Sequence, residues 1–298
     1  MRNWVIAGLT LFAAGAIGTA VSLGSEGDFS FGTVEVAKEA SASAAGIERI
    51  KLGASAADID IVRGTSDEFK ATLTGRASKK FLDRIEVKLV PSGGELLVDV
   101  KASTGFTIGF NILDVDLRLE VPDRQWSKFA IDGGSGNVEL SDLKIDELVA
   151  SIGSGNVHVK NLTSRKLELE AGSGNIHAES SKANQVEMDV SSGNLRLTDV
   201  EAATVDADTG SGNIYVTADQ LSGSVKAETG SGNVTIATLA PPESATIQFA
   251  SGSGDLKNEW EDGRESDEEG VQEQIVFGGG DVRVEVETGS GNLYLERR

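Results

Sequence analysis

One tetrapeptide governs this chain. GSGN fills 134–137, 153–156, 172–175, 210–213, 230–233 and 289–292, with SSGN at 191–194 and GSGD at 252–255. Counted by the last residue, Asn137, Asn156, Asn175, Asn194 and Asn213 stand 19 apart. Asn233 follows after 20, Asp255 after 22 and Asn292 after 37. A period of this size marks a stacked repeat, because a unit of about 20 residues cannot bury a core alone.

The residues between the motifs alternate. Eight places before each Asn stand Leu148, Leu167, Val186, Val205 and Val225, and six places before stand Ala150, Leu169, Met188, Ala207 and Ala227. One place after it stand Val157, Ile176, Leu195, Ile214 and Val234. A period of two means β-strands with one buried face. Each unit is therefore strand, GSGN turn, strand, second turn. Two arrangements satisfy this: parallel coils of a solenoid about 4.8 Å apart, or a meander of hairpins with GSGN as the tight turn. Recurrence of the same column in every unit favours the solenoid. The expected fold is an all-β, single-stranded β-helix of about 19-residue coils over residues 123–298.

GSGN itself reads as a corner. A dinucleotide fingerprint needs GxGxxG between a strand and a helix, whereas here strands follow. The glycines permit positive φ, and Asn tolerates the left-handed region. Stacked Asn137, Asn156, Asn175, Asn194, Asn213, Asn233 and Asn292 can hydrogen-bond along the array as amide ladders do.

The flanking regions lack the period. Residues 1–32 hold 23 consecutive uncharged residues, Asn3 to Ser25, behind Arg2. That length suits an uncleaved membrane anchor, and small residues near Gly18-Thr19-Ala20 leave a cleaved signal peptide open. Both readings export the remainder, leaving it extracytoplasmic at the cell membrane or secreted. Residues 33–46 are expected to be a linker, and 47–122 an all-β cap over the solenoid end. "GFTIGFNIL" (105–113) is expected in that cap. Residues 257–274 read as a solvated acidic insertion, with Trp260 as a contact residue within it, and the strands after it as the last coil.

The net charge of −20 disfavours nucleic acid and anionic surfaces as partners and favours cations or cationic peptides. With no Cys, thiolate sites and cysteine nucleophiles are excluded. The acids fall in columns. Seven places before Asn lie Glu168, Glu187 and Asp206, and five places before lie Glu170, Asp189, Asp208 and Glu228. Parallel stacking would put these on one outer face, where neighbours repel by roughly 0.9 kcal/mol in bulk water. One reading is a solvated face that aids solubility; the other is a strip for basic partners. Carboxylates also suit Ca²⁺, although flat strands coordinate from one side only, so weak binding is the most expected. His158 and His177, the only histidines, sit two places after Asn in adjacent units, and no third metal ligand is evident. A polysaccharide-acting enzyme would need one asymmetric carboxylate pair with divergent environments. The repeated, exposed series does not offer that, so neither catalysis nor a cofactor is expected.

The apolar N-terminus, the short strands with "ADIDIV", the bridge "DLRLEVPDRQWSKFAIDGGSGNVEL" and the tandem SGN turns together resemble the putative adhesin family of bacterial envelope proteins. The resemblance covers about residues 47–298. It implies a β-repeat domain that contacts an envelope component or protein partner, and some relatives are membrane-anchored and encoded with envelope stress-response systems. It supplies no catalytic residue. The functional expectation is a non-catalytic surface-binding or scaffolding protein, with an acidic sensor or sink for cations or cationic peptides as the alternative.

Overall fold

The computed structural model describes residues 32–102, 112–260, 263–265 and 273–298. The segment expected to anchor or export the chain, and most of "GFTIGFNIL", lie outside the described residues. Among the described residues no helix is long and apolar enough to cross a membrane.

The repeats stack in parallel, as a solenoid and not as hairpins. Each coil gives one strand to each of two sheets. Long strands before the turns (Lys144–Ser154, Lys166–Ser173, Lys182–Ser192, Glu201–Ser211) pair in one sheet. Short strands after them (Val157–Lys160, Ile176–Glu179, Leu195–Thr198, Ile214–Ala218) pair in the other. Register is maintained: Leu148 faces Leu167, Leu167 faces Val186, and Val186 faces Val205. These alternate residues are buried between the sheets, which fixes register because a one-residue slip would turn every apolar side chain outward.

Two corners close each coil. In the SGN corner the glycine approaches the coil beneath. A Cβ added to Gly193, at φ +149°, would sit 1.6 Å from the carbonyl oxygen of Gly174. Only glycine allows that spacing, which is why this position never varies within the array. The second corner uses Asp142, Asn161, Ser180 and Asp199, all at positive φ near 50–60°. Short polar residues tolerate that conformation.

The asparagines form a continuous ladder. Asn156 donates its backbone N–H and its Nδ2 to Asn137 Oδ1, at 3.0 and 2.9 Å. Asn175 does the same to Asn156, and Asn194 to Asn175. Asn213, Asn233 and Asn292 extend it. Both ends are aspartates. Asp58 Oδ1 accepts from Asn137 N at 2.7 Å, and Asp255 N donates to Asn292 Oδ1 at 2.9 Å. From Asn137 to Asn213 the side-chain amide both accepts and donates along the ladder, whereas Asn233 and Asn292 donate through the backbone N–H and Asn292 Nδ2 turns to the Tyr294 hydroxyl; the first member needs an acceptor alone.

The ends of the array depart from chain order, and four expectations are corrected here. First, residues 33–46 are not a linker. Thr33–Ser43 is a strand, paired antiparallel with Glu68–Ser78 and burying Val36. Second, residues 47–122 are not a separate cap, since Arg49–Ala56 and Asp58–Gly64 form a coil seated directly on the Asn137 coil. Glu95–Ala102 and Leu113–Pro122 form a further coil outside that one. The antiparallel strands Thr33–Ser43, Glu68–Ser78 and Ile85–Ser92 then terminate the two sheets. Third, the C-terminal coil is not last in space. Val282–Ser290 lies between Ser224–Ser231 and Ala245–Ser253, and Leu293–Arg297 between Val234–Thr238 and Leu256–Asn258. Fourth, part of the acidic insertion is structural. Glu273–Phe277 pairs antiparallel with Ala245–Ser253, and Trp260 is fully buried. Antiparallel strands at both ends interrupt the parallel ladder and blunt a template for edge-to-edge association.

Candidate functional site

The long-strand sheet turns two polar columns outward, because alternate residues of each strand must face away from the core. Backbone pairing aligns them coil by coil. Glu168 faces Glu187, Glu187 faces Asp206, and Asp206 faces Lys226. Glu170 faces Asp189, Asp189 faces Asp208, and Asp208 faces Glu228. All the acidic candidates from the sequence therefore share one face. The inserted C-terminal coil lengthens both columns, since Lys226 faces Glu285 and Glu228 faces Glu287.

Cations balance this face only in part. Lys166 Nζ bridges Glu187 at 2.8 Å and Glu168 at 3.0 Å. Those two bonds, the Glu187 bond foremost, hold its ammonium above the usual lysine range. Lys226 pairs with Glu228, and Arg283 with Glu285 at 3.0 Å. Among the described residues Glu170, Asp189 and Asp208 form no salt bridge, while the neighbouring acids Glu168, Glu187, Glu228 and Glu285 do. Asp208 lies between Asp189 and Glu228 in the column. Partial burial, and then the charges of Asp189, Glu228 and Asp206, push its carboxyl above the ordinary aspartate value.

The face is concave in two adjoining stretches. A shallow trough of about 270 Å³ runs over Glu168, Glu170, Glu187, Asp189, Asp206, Asp208 and Glu228, with Lys226 the one cation in its lining. A second, of about 620 Å³, continues from Asp208 and Glu228 to Glu287. Both are open grooves without an enclosed end. A groove lined by like charge concentrates counter-ions and steers cationic ligands, more strongly at low ionic strength. Its carboxylates are repeated side by side and do not converge on one reacting atom.

The short-strand sheet carries the histidines. His158 and His177 face each other across two coils, with rings parallel to within 5° and centroids 4.7 Å apart. Burial, then the neighbouring His158, hold His177 below the usual imidazole value. Glu179 joins them, its Oε2 3.3 Å from His158 Nε2 and its Oε1 3.0 Å from Lys160 Nζ. Lys160 chiefly holds the Glu179 carboxyl below its ordinary value. Sequence reading found no third donor beside the histidines, and the diagonal between coils supplies one.

Trp260 does not join any exposed surface. Its indole Nε1 donates to the Glu296 carbonyl at 2.6 Å, and its ring meets Phe277 edge-on at 5.7 Å. It is a core residue of the C-terminal end, which corrects its reading as a contact residue.

Residues 47–296 match the family described as Toastrack DUF4097. The chain belongs to this family. Among solved structures, it is similar to a putative adhesin from Bacteroides fragilis, at 15% identity with a TM-score of 0.51, covering 89% of this chain and 98% of that one. It is also similar to a putative adhesin from Parabacteroides merdae, at 13% identity with a TM-score of 0.43, covering 88% and 96% respectively. At such identities the first of these shows a shared fold. Comparison with curated proteins finds no match.

Three contributions to the polar faces of this Toastrack chain escaped the sequence reading. Glu285 and Glu287 belong to the acidic columns only because the last strand pair slots inward. The VEVETGSGN spacing carried that signal, since both acids stand seven and five places before Asn292. Asp58 begins the asparagine ladder from a segment without a GSGN turn. Glu179 meets His158 across the stack, and the alternation HAE at 177–179 was its only local sign.

Proposed function

We propose that this Toastrack domain is a non-catalytic binding or scaffolding module of the cell envelope, and that the acidic long-strand face is its contact surface. One observation carries the reading: the carboxylates at Glu170, Asp189, Asp208, Glu228 and Glu287 repeat in register along an open groove. A repeated, extended charge pattern suits a partner that is itself extended and basic. Catalysis by paired carboxylates demands the opposite, two groups at one point in different environments. The N-terminal apolar segment is the export signal or tether in this reading, which leaves the domain extracytoplasmic. The fold shared with a putative adhesin supports the surface role.

A second reading is a sensor or sink for cations or cationic peptides. The raised carboxyl of Asp208 favours it, because a groove that resists full ionisation gains from any bound cation. Capture of envelope fractions by the full chain separates the two. The protein is compared with its Glu170→Lys, Asp189→Lys, Asp208→Lys triple variant, with thermal melts as the folding check. A component held through high salt by the wild type and lost from the variant supports the module. Capture that salt alone abolishes supports the sink. Equal capture by both proteins removes the acidic face from either reading, and turnover of a glycan removes the non-catalytic claim.

A further inference from the structure

The histidine pair lies on the short-strand sheet, away from the acidic columns, and neither functional reading uses it. His158 and His177 are the chain's only histidines, and the fold sets them on adjacent coils in direct register. A ligand atom from each of His158, His177 and Glu179 lies within 4.8 Å of the others. Around a tetrahedral zinc ion with bonds near 2.0–2.1 Å, ligand atoms stand about 3.3–3.4 Å apart. His158 Nε2 and Glu179 Oε2 are already 3.3 Å apart. The stacked rings must rotate for both in-plane lone pairs to meet one ion, and half-burial on the outer face of the sheet leaves them room to do so.

The surroundings resemble a ligand shell more than a plain surface pair. Glu179 keeps its second oxygen on Lys160 at 3.0 Å, so Oε2 can bind metal while Oε1 stays anchored. His177 Nε2 lies 3.1 Å from the Thr198 hydroxyl, which could turn to accept or release that contact. Glu139 stands 3.9 Å from His158 Nδ1, on the far side of the ring, where outer carboxylates orient metal-bound imidazoles. Two imidazoles and one carboxylate are a borderline-soft set, suited to zinc, copper or nickel and not to Ca²⁺ or Mg²⁺.

We propose that His158, His177 and Glu179 form a three-donor site for a divalent transition metal, with the outward position left to water or to a group from a partner. The site would cross-link two adjacent coils on the face that carries no acidic columns. A metal bound there would stabilise the array by binding the folded stack alone.

The test is a calorimetric titration of the full chain with Zn²⁺, run in excess Mg²⁺ so that the acidic columns are already occupied. The proposal expects one saturable site per chain. His158→Ala and His177→Ala should each weaken it at least about tenfold, the scale that even outer-ligand changes reach. Glu179→Gln should weaken it while preserving the shape of the side chain. Zn²⁺ should raise the melting temperature of the wild type and leave that of the His158→Ala, His177→Ala double variant unmoved. His177→Gln serves if the alanine variants fail to fold. Absence of a saturable zinc heat overturns the proposal. So does an unchanged heat in the histidine variants, which would place the zinc among the carboxylates.

Discussion

Replacing Asn175 by Ala removes three hydrogen bonds from the middle of the ladder. Asn175 Nδ2 donates to Asn156 Oδ1 at 3.0 Å, and Asn175 Oδ1 accepts from Asn194 N at 3.0 Å and from Asn194 Nδ2 at 3.1 Å. At about 0.5–1.5 kcal/mol each, the gross loss is about 1.5–4.5 kcal/mol. The corner is exposed and water replaces part of it, so a net loss of about 2 kcal/mol is expected. Asn175→Asp is the sharper comparison. It keeps both acceptor bonds but loses the donor, and it sets a carboxylate oxygen against Asn156 Oδ1. It should cost about 1–2 kcal/mol at neutral pH. Asp58→Asn, at the ladder's first position, keeps its acceptor for Asn137 and should change stability by less than about 0.5 kcal/mol. Urea unfolding followed by circular dichroism reads the midpoints, and hydrogen exchange at the Asn194 amide reads the corner itself. Stacked repeats can unfold in parts, so the exchange measurement is the decisive one. Equal losses for Asn175→Asp and Asp58→Asn would refute the reasoning that the Asn175 amide contributes as a donor while a carboxylate suffices at the first position.

Three further outcomes follow from packing and charge. Trp260→Ala should cost about 3–5 kcal/mol, and should raise aggregation by loosening the C-terminal end, as read by thermal melts and light scattering; a change under 1 kcal/mol would contradict its core role. Asp208 has a raised folded-state carboxyl, so it destabilises the fold at neutral pH, and that penalty is relieved as pH falls through the folded value towards 3.8. Asp208→Asn should therefore stabilise the protein at pH 7, with the gain shrinking on acidification. Glu179 carries the opposite sign: its lowered carboxyl contributes stability above the unfolded value of 4.5, lost as pH falls through the folded one. Stability measured against pH in wild type, Asp208→Asn and Glu179→Gln checks both signs.

The regular middle of this molecule was legible because its information is local and repeated. Val186, Met188 and Val190 mark one buried face within a single strand, and the next unit restates it. The same spacing places Glu170, Asp189 and Asp208 in one column. The ends were not legible, because their pairing is long-range. Arg49 pairs with Lys128, a separation that no local period announces. Thr33–Ser43 is rich in Ala, Ser and Glu, weak strand formers, and it is a strand because Glu68–Ser78 offers it an edge. Trp260 sits in a run of acids, which made it read as solvated, yet the end of the solenoid needed a large apolar side chain to close it. Glu179 reaches His158 on a diagonal between coils, a relation that column counting does not display.

The central claim is that the acidic face binds a basic, extended partner, and the most direct measurement is a titration of the full chain with a fluorescent oligolysine peptide, followed by anisotropy. The account predicts saturable binding that salt weakens without abolishing and that falls at least about tenfold, or 1.4 kcal/mol, in the Glu170→Lys, Asp189→Lys, Asp208→Lys variant. Binding of equal strength in the folded variant, or none in the wild type at low salt, would contradict it.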